Sequence, residues 1–128
     1  MAKTESVEIQ MADILDTVSR NVKGVLETDS MKVAKETAQK LKNTSPKGSP
    51  HQRRYAEGWK VSKKERADLV VHNATNYQLT HLLEDGHVIV NKKGTYGRTH
   101  PIKHIKPAEE WASDELPRRI MEDLDKEL

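Results

Sequence analysis

Apolar residues recur at intervals of three and four positions along the first third of the chain. The row comprises Val7, Met11, Ile14, Leu15, Val18, Val22, Val25 and Leu26, and resumes with Val33, Ala34, Ala38 and Leu41. This spacing places side chains on one face of a helix. We therefore predict one long helix over residues 6–42, capped by Ser6 and kinked near residue 28. We expect its apolar face to pack on the core, with part of it against a neighbouring subunit.

The pattern changes twice in the middle of the chain. Two prolines and a glycine among polar residues predict a loop over residues 43–54. Residues 58–73 then show two alternating segments, which predicts an antiparallel hairpin. Trp59 and Val61 share one face of it, and Leu69 and Val71 share one face of the second strand. We expect Trp59 to be the largest core side chain.

The remaining pattern predicts a short helix over residues 77–85, ended by Gly86, and a strand over residues 88–90. Residues 91–103 are polar, with two glycines, and we expect a mobile basic loop there, with a fourth strand near Ile102.

A helix over residues 107–126 follows, with Pro107 in its first turn. Pro117 predicts a kink near Ser113, where Ser113, Asp114 and Glu115 offer a restart cap. We expect Trp111 to belong to the core.

These elements predict an α+β fold in one domain over residues 1–128. A small antiparallel sheet of three or four strands is packed by the long N-terminal helix and the C-terminal helix. With 34% hydrophobic residues and no phenylalanine, the core is thin. Such a core favours apolar surface that is covered by a partner chain.

Charge is distributed unevenly, although the net charge is only +2. Residues 40–66 carry +7 and residues 92–106 carry +5, and acidic helices flank both segments. Basic loops of this kind occur in nucleic-acid binding, in subunit contacts and on ordinary solvated surfaces. The chain has no cysteine, no apolar run of spanning length and no apolar signal-peptide core, so we expect a soluble protein made in a reducing cytoplasm, without a membrane partner.

The candidate catalytic and metal-binding residues do not form a pattern that predicts an enzyme. His81, Asn91 and His100 loosely follow a nuclease order, but Pro101 disfavours the helix that the last histidine needs. Neighbouring acids at Glu84-Asp85 and Glu109-Glu110 point in different directions on a helix. We predict no catalytic residue, no metal ligand and no cofactor. The six histidines are His51, His72, His81, His87, His100 and His104. Of these, we expect His81 and His87 to be turn residues and His104 to orient the entry to the last helix.

Two segments carry a family resemblance. Residues Leu79 to His87 read LTHLLEDGH, and residues His104 to Glu110 read HIKPAEE. This order, with a glycine-containing basic loop between, resembles the small tail-completion, or head–tail joining, proteins of long-tailed bacteriophages. The loop over residues 91–103 is longer than is usual in that family.

The resemblance implies a structural virion protein of the phage neck that joins or completes the tail. It implies a homo-oligomeric ring, connector or stopper proteins and tail proteins as partners, and assembly in the bacterial cytoplasm. Non-specific contact of the basic loops with DNA in the channel is a further option, which ranks behind subunit contact or solvation of these loops. The alternative is a small nucleic-acid-binding protein that uses the basic segments 40–66 and 92–106. The low net charge and the lack of interleaved aromatic residues argue against that alternative.

Overall fold

The computed structural model describes residues 2–64, 69–91 and 94–127. It confirms the α+β class. In chain order the elements are α1 (Ala2–Thr44), α2 (Pro50–Glu57), β1 (Trp59–Lys63), β2 (Leu69–Asn73), a 3₁₀ turn (Tyr77–Leu79), α3 (Thr80–Asp85), β3 (Val88–Asn91), β4 (Gly94–Arg98) and α4 (Ile105–Glu127).

The first and last helices form the frame of the molecule. α1 and α4 lie antiparallel, since Glu36 bonds Arg119 while Lys40 lies over the ring of Trp111 at 4.6 Å. The β1–β2 hairpin packs against α1. α1 continues through residue 28 without interruption, and Asp29 there is buried. α4 likewise continues through Pro117, so the predicted restart cap near Ser113 is wrong.

The core lies where these elements meet. Its buried cluster comprises Ala38, Leu41, Tyr55, Trp59 and Ala108, with Val61, Val71, Leu79, Leu83 and Ile105 packed against it. The prediction for Trp59 is confirmed, because it is buried at the first position of β1. The prediction for Trp111 is wrong. Its side chain is only half-buried and lies outside the cluster, with the Lys40 ammonium against its ring.

Two predicted loops contain regular structure instead. Within 43–54, the Ser49 hydroxyl accepts the Gln52 N–H at 3.2 Å and Pro50 occupies the first turn of α2, so a Ser-Pro pair begins a helix. Within 91–103, β4 pairs antiparallel with β3, with an irregularity between Val88 and Val90. The glycines that suggested a mobile loop belong to this strand, and the fourth strand lies at 94–98 rather than near Ile102.

The predicted sheet of three or four strands is also wrong. In the part of the chain that the structure describes, β1 pairs only with β2 and β3 only with β4, so there are two separate two-stranded hairpins. The first matches the predicted hairpin, with Trp59 opposite Asn73 and Val61 opposite Val71. A two-stranded hairpin is too small to be stable alone, and the first hairpin is supported by its packing against α1.

Gly86 joins α3 to the second hairpin in a conformation that only glycine adopts easily. Its φ of 76° and ψ of 169° lie in a region that residues with side chains rarely adopt. The prediction that the helix ends at Gly86 is confirmed, but the ψ angle is not that of a left-handed helical residue. A Cβ there would also lie 2.5 Å from the Thr99 carbonyl oxygen.

We expect Gly86→Ala to lower the free energy of unfolding by about 1–3 kcal/mol, because both the backbone and the contact with Thr99 become strained. Gly24→Ala is the matched control. Gly24 lies inside α1 with open space around it, so alanine should stabilise by about 0.5–1 kcal/mol. Urea unfolding of both variants measures the difference, and equal effects of the same sign would contradict this explanation.

Candidate functional site

The start of α4 is held by a carboxylate from another element. The Glu84 side chain, on α3, accepts the backbone N–H groups of His104 and Ile105 at 2.9 Å through Oε1 and that of Lys106 at 3.1 Å through Oε2. The first N–H groups of a helix have no intrahelical acceptor. A negative charge at this end also interacts favourably with the helix dipole. Glu84 therefore caps α4 from about twenty residues away in sequence, and we call this arrangement the joint.

His104 extends the joint into the core. Its Nδ1 lies 2.7 Å from the Ile102 carbonyl oxygen and 3.1 Å from Glu84 Oε1, and its Nε2 lies 2.7 Å from the Tyr55 hydroxyl. Because both neighbours of Nδ1 are acceptors, Nδ1 carries a proton. In the neutral ring, Nε2 then accepts the proton of the Tyr55 hydroxyl. The prediction that His104 orients the entry to the last helix fits this geometry.

Three rings pack edge to face around this point. The centroids of Tyr55 and Trp59, and those of Tyr55 and His104, lie 5.6 Å apart, with interplanar angles of 72° and 79°. The Trp59 indole N–H donates to the Ser45 hydroxyl at 2.9 Å, just after α1. The buried polar groups of the rings therefore have partners, and the contacts join the end of α1, α2, β1 and the entry to α4.

The electrostatics of the joint favour an ionised Glu84. Burial acts to raise the pKa of Glu84, but the backbone N–H donors of Ile105, His104 and Lys106 outweigh it, and the pKa lies below its usual value. Burial raises the pKa of Tyr55 to about 12, and the Glu84 charge acts in the same direction. Tyr55 therefore stays a neutral hydrogen-bond donor at ordinary pH.

A tyrosine, a histidine and a carboxylate that are linked one after another by polar contacts resemble a proton relay. Here, however, Tyr55 is 0% exposed and His104 1% exposed, so a substrate has no access to either. Three backbone N–H groups already bond to the Glu84 carboxylate. The arrangement fixes the position of α4 on the rest of the fold, and it is a structural joint rather than a reactive centre.

A second buried acid lies between α1 and α4. Asp29 is 1% exposed, and its Oδ2 has no hydrogen-bond donor among the described residues. Burial raises the pKa of Asp29, and a hydrogen bond to the Asp123 carboxyl raises it further, while Lys32 and Arg119 act in the opposite direction. The direction of this shift follows because a protonated carboxyl donates a hydrogen bond where two carboxylates would repel.

The other candidate residues are dispersed. His51 contacts Arg54, His72 contacts Ser62, and His87 contacts Thr99, whereas His81 and His100 are exposed. The Thr99 backbone N–H donates to the His87 carbonyl oxygen, and the His87 backbone N–H donates to the Thr99 hydroxyl, as expected of a turn residue. Over the described ranges, no three His, Asp or Glu side chains are grouped to hold a metal ion. Glu109 and Glu110 are exposed on α4.

Sequence reasoning missed Tyr55, Asp29 and the capping role of Glu84. Tyr55 lies on α2, and the Ser49-Pro50 start signal would have revealed that helix. Asp29 follows Val22 and Val25 at helical spacing, and this position on the apolar face of α1 is the signal that could have predicted its burial. Glu84 has no local signal, because its three donors lie in a distant segment.

Comparison with protein-family models, with curated proteins and with solved structures finds no match to this chain. The resemblance to phage tail-completion proteins therefore stays a prediction. No helix in the described ranges is both long and apolar enough to cross a membrane.

We expect Glu84→Gln to destabilise the protein by about 1–3 kcal/mol, because an amide has one acceptor oxygen and leaves a helical N–H of α4 unpaired. Glu109→Gln, on the exposed surface of α4, is the matched control and should cost much less. Urea unfolding at neutral pH measures both. If the two variants unfold at the same urea concentration, Glu84 does not hold the helix.

We expect Asp29→Asn to change how stability depends on pH. A raised pKa in the folded state means that the contribution of Asp29 is fully present below its unfolded pKa and is lost as pH rises through the folded value. Asparagine imitates the protonated carboxyl at every pH, so the variant should gain stability relative to the original chain above that value. Thermal unfolding between about pH 4 and pH 8 measures this. Asp13→Asn is the matched control, and a variant that loses stability at high pH would contradict the assignment.

Proposed function

We propose that this protein is a structural component of a phage virion that joins or completes the tail at the head–tail connector. It acts by assembling into a ring with other virion proteins rather than by bond chemistry. The proposal rests on the resemblance of residues 79–87 and 104–110 to tail-completion proteins.

The observation that carries the proposal is that both resembling segments meet in the joint. Glu84 belongs to the first segment, and its three backbone donors belong to the second. The charged residue of this pair of segments holds a helix in place, so the two segments together indicate a shared fold. Shared residues of this kind support a shared structural role, whereas shared exposed residues around a cleft would support a shared reaction.

Uncovered apolar surface also supports a role in assembly. Large apolar side chains are exposed on α1 and α4, including Met11, Ile14, Leu15 and Met121. An open groove of about 420 Å³ between α1, the first hairpin and α4 is lined mainly by apolar residues, among them Leu41, Trp59, Val71 and Leu116. Contiguous apolar surface on a hydrophilic chain marks a site of protein contact.

One observation favours the alternative of nucleic-acid binding. Arg53 and Arg54 are exposed on α2, and Lys60, Lys63 and Lys64 are exposed on and after β1. Part of the basic charge nevertheless has local partners, since Arg54 contacts His51 and Lys103 bonds Asp85 at 2.9 Å. Binding to double-stranded DNA that falls steeply with salt and is lost in Arg53→Ser and Lys60→Ser variants would favour this alternative.

The direct test is deletion of the gene in its phage. We expect separate DNA-filled heads and complete tails in electron micrographs of the lysate, with joined particles restored when the original gene is supplied in trans. We also expect mass spectrometry to detect the protein in purified virions. Joined, infectious particles that form without the protein would contradict the proposal.

A further inference from the structure

The first part of α1 extends beyond the rest of the molecule. The last described turn of α4 lies beside Arg20 to Gly24, since Asp123, Lys126 and Glu127 line a shallow depression together with those residues. Residues 2–20, which we call the arm, form about 28 Å of helix beyond that point. Every side chain from residue 10 to residue 20 is exposed.

The arm carries an uncovered apolar row. Met11 is 58% exposed, Ile14 60%, Leu15 66% and Val18 38%. The row Met11, Leu15, Val18, Val22 and Val25, bordered by Ile14, continues at the same spacing through Asp29, Glu36 and Lys40. The last three contact Asp123, Arg119 and Trp111 of α4. The face that packs on α4 in the body of the protein is therefore the face left bare on the arm.

The apolar face of the arm is suited to pack against the same face of a second copy of the chain. In a two-fold contact each surface meets the same surface, so a charge on it would face a like charge. The charged residues of the arm are Lys3, Glu5, Glu8, Asp13, Asp16 and Arg20. None of them stands in the row, and helical spacing places Asp13, Asp16 and Arg20 on the opposite side of α1 from it. Asp16 and Arg20 bond each other there at 3.2 Å. The row itself carries no charge that two copies would have to bury.

An isolated helix also needs a partner to persist. Helices of this length are marginal in water unless an amphipathic face is packed. The row spacing of three and four residues is that of helices packed side by side. Since α4 already lies antiparallel on this face, a second antiparallel helix continues the same packing beyond its end.

We propose that the arm pairs with the arm of a second copy of this chain, antiparallel, about a two-fold axis between Met11 and Ile14. A parallel pair is disfavoured because both α4 helices would occupy the seam at the same level. In an antiparallel pair, each arm packs along the apolar row of the other copy until it reaches the point where that copy's own α4 covers the row. That limit places the axis near the middle of residues 2–20.

The first test measures the mass of the purified full chain by light scattering over a dilution series. We expect a dimer that dissociates on dilution. Ile14→Asp should weaken dimerisation by about 30-fold or more, as a buried charge at the centre of an interface does. Thr17→Asp introduces the same charge off the row and should leave the dimer intact. Because Ile14 is exposed in the single chain, thermal unfolding of the body should be unchanged.

The second test fixes the orientation. The chain has no cysteine, so single cysteines report only the designed contact. Met11→Cys mixed with Ile14→Cys should give a disulfide-linked heterodimer under mild oxidation. Val18→Cys alone should remain reduced, whereas a parallel pair would link it to its own copy.

The inferred pairing of the arms does not rest on the proposed virion role, and each can be overturned without affecting the other. A two-fold pair closes on itself, so a ring has to use another surface. A chain that stays monomeric at every concentration, a trimer or larger assembly, or a dimer that survives Ile14→Asp would overturn the inference without touching the proposed function. So would a monomer whose arm binds vesicles of phosphatidylcholine and phosphatidylglycerol. A dimer in a protein absent from virions would overturn only the proposed function.

Discussion

The structure depends on one carboxylate placed at the start of one helix. Glu84 accepts three backbone N–H groups at the start of α4, one of them buried and two partly buried, and leaving such groups without an acceptor is costly. Its own position is set by α3, whose end is fixed by Gly86. Through His104 the same group orders the Tyr55 hydroxyl, and through Tyr55 the contact reaches α2. The apolar core is thin, and this network of polar contacts adds to the stability that the core provides.

The two buried acids among the described residues, Glu84 and Asp29, have pKa values shifted in opposite directions. Glu84 is surrounded by N–H donors, so its ionised form is favoured, and its contribution to stability is lost as pH falls through its folded pKa. Burial and the neighbouring Asp123 carboxyl raise the pKa of Asp29, so its contribution to stability is lost as pH rises through its folded pKa. The two carboxyl groups therefore oppose each other across the pH range, one at each end of α4.

The long helices and the first hairpin were predictable because their signals are local. Apolar spacing in α1 and α4, and alternation around Trp59, are each readable within a dozen residues. Other features were not, for identifiable reasons. α2 is short and polar, so its cap signal was outweighed by a loop-like composition. β4 contains glycines typical of loops. The capping by Glu84 depends on two segments about twenty residues apart that meet only in the folded chain. Trp111 was expected in the core because size and periodicity do not reveal that a lysine covers it from outside.

The antiparallel pairing of α1 and α4 has a consequence for how the chain acquires its structure. The contacts of Glu36 with Arg119 and of Lys40 with Trp111 join residues separated by most of the sequence. Contacts of such long range form slowly, because a large loop has to close before they are made. During synthesis α1 leaves the ribosome long before α4, and its apolar row has no intrachain partner in that interval. The order of synthesis therefore leaves this helix open to association with other nascent chains until α4 has been made.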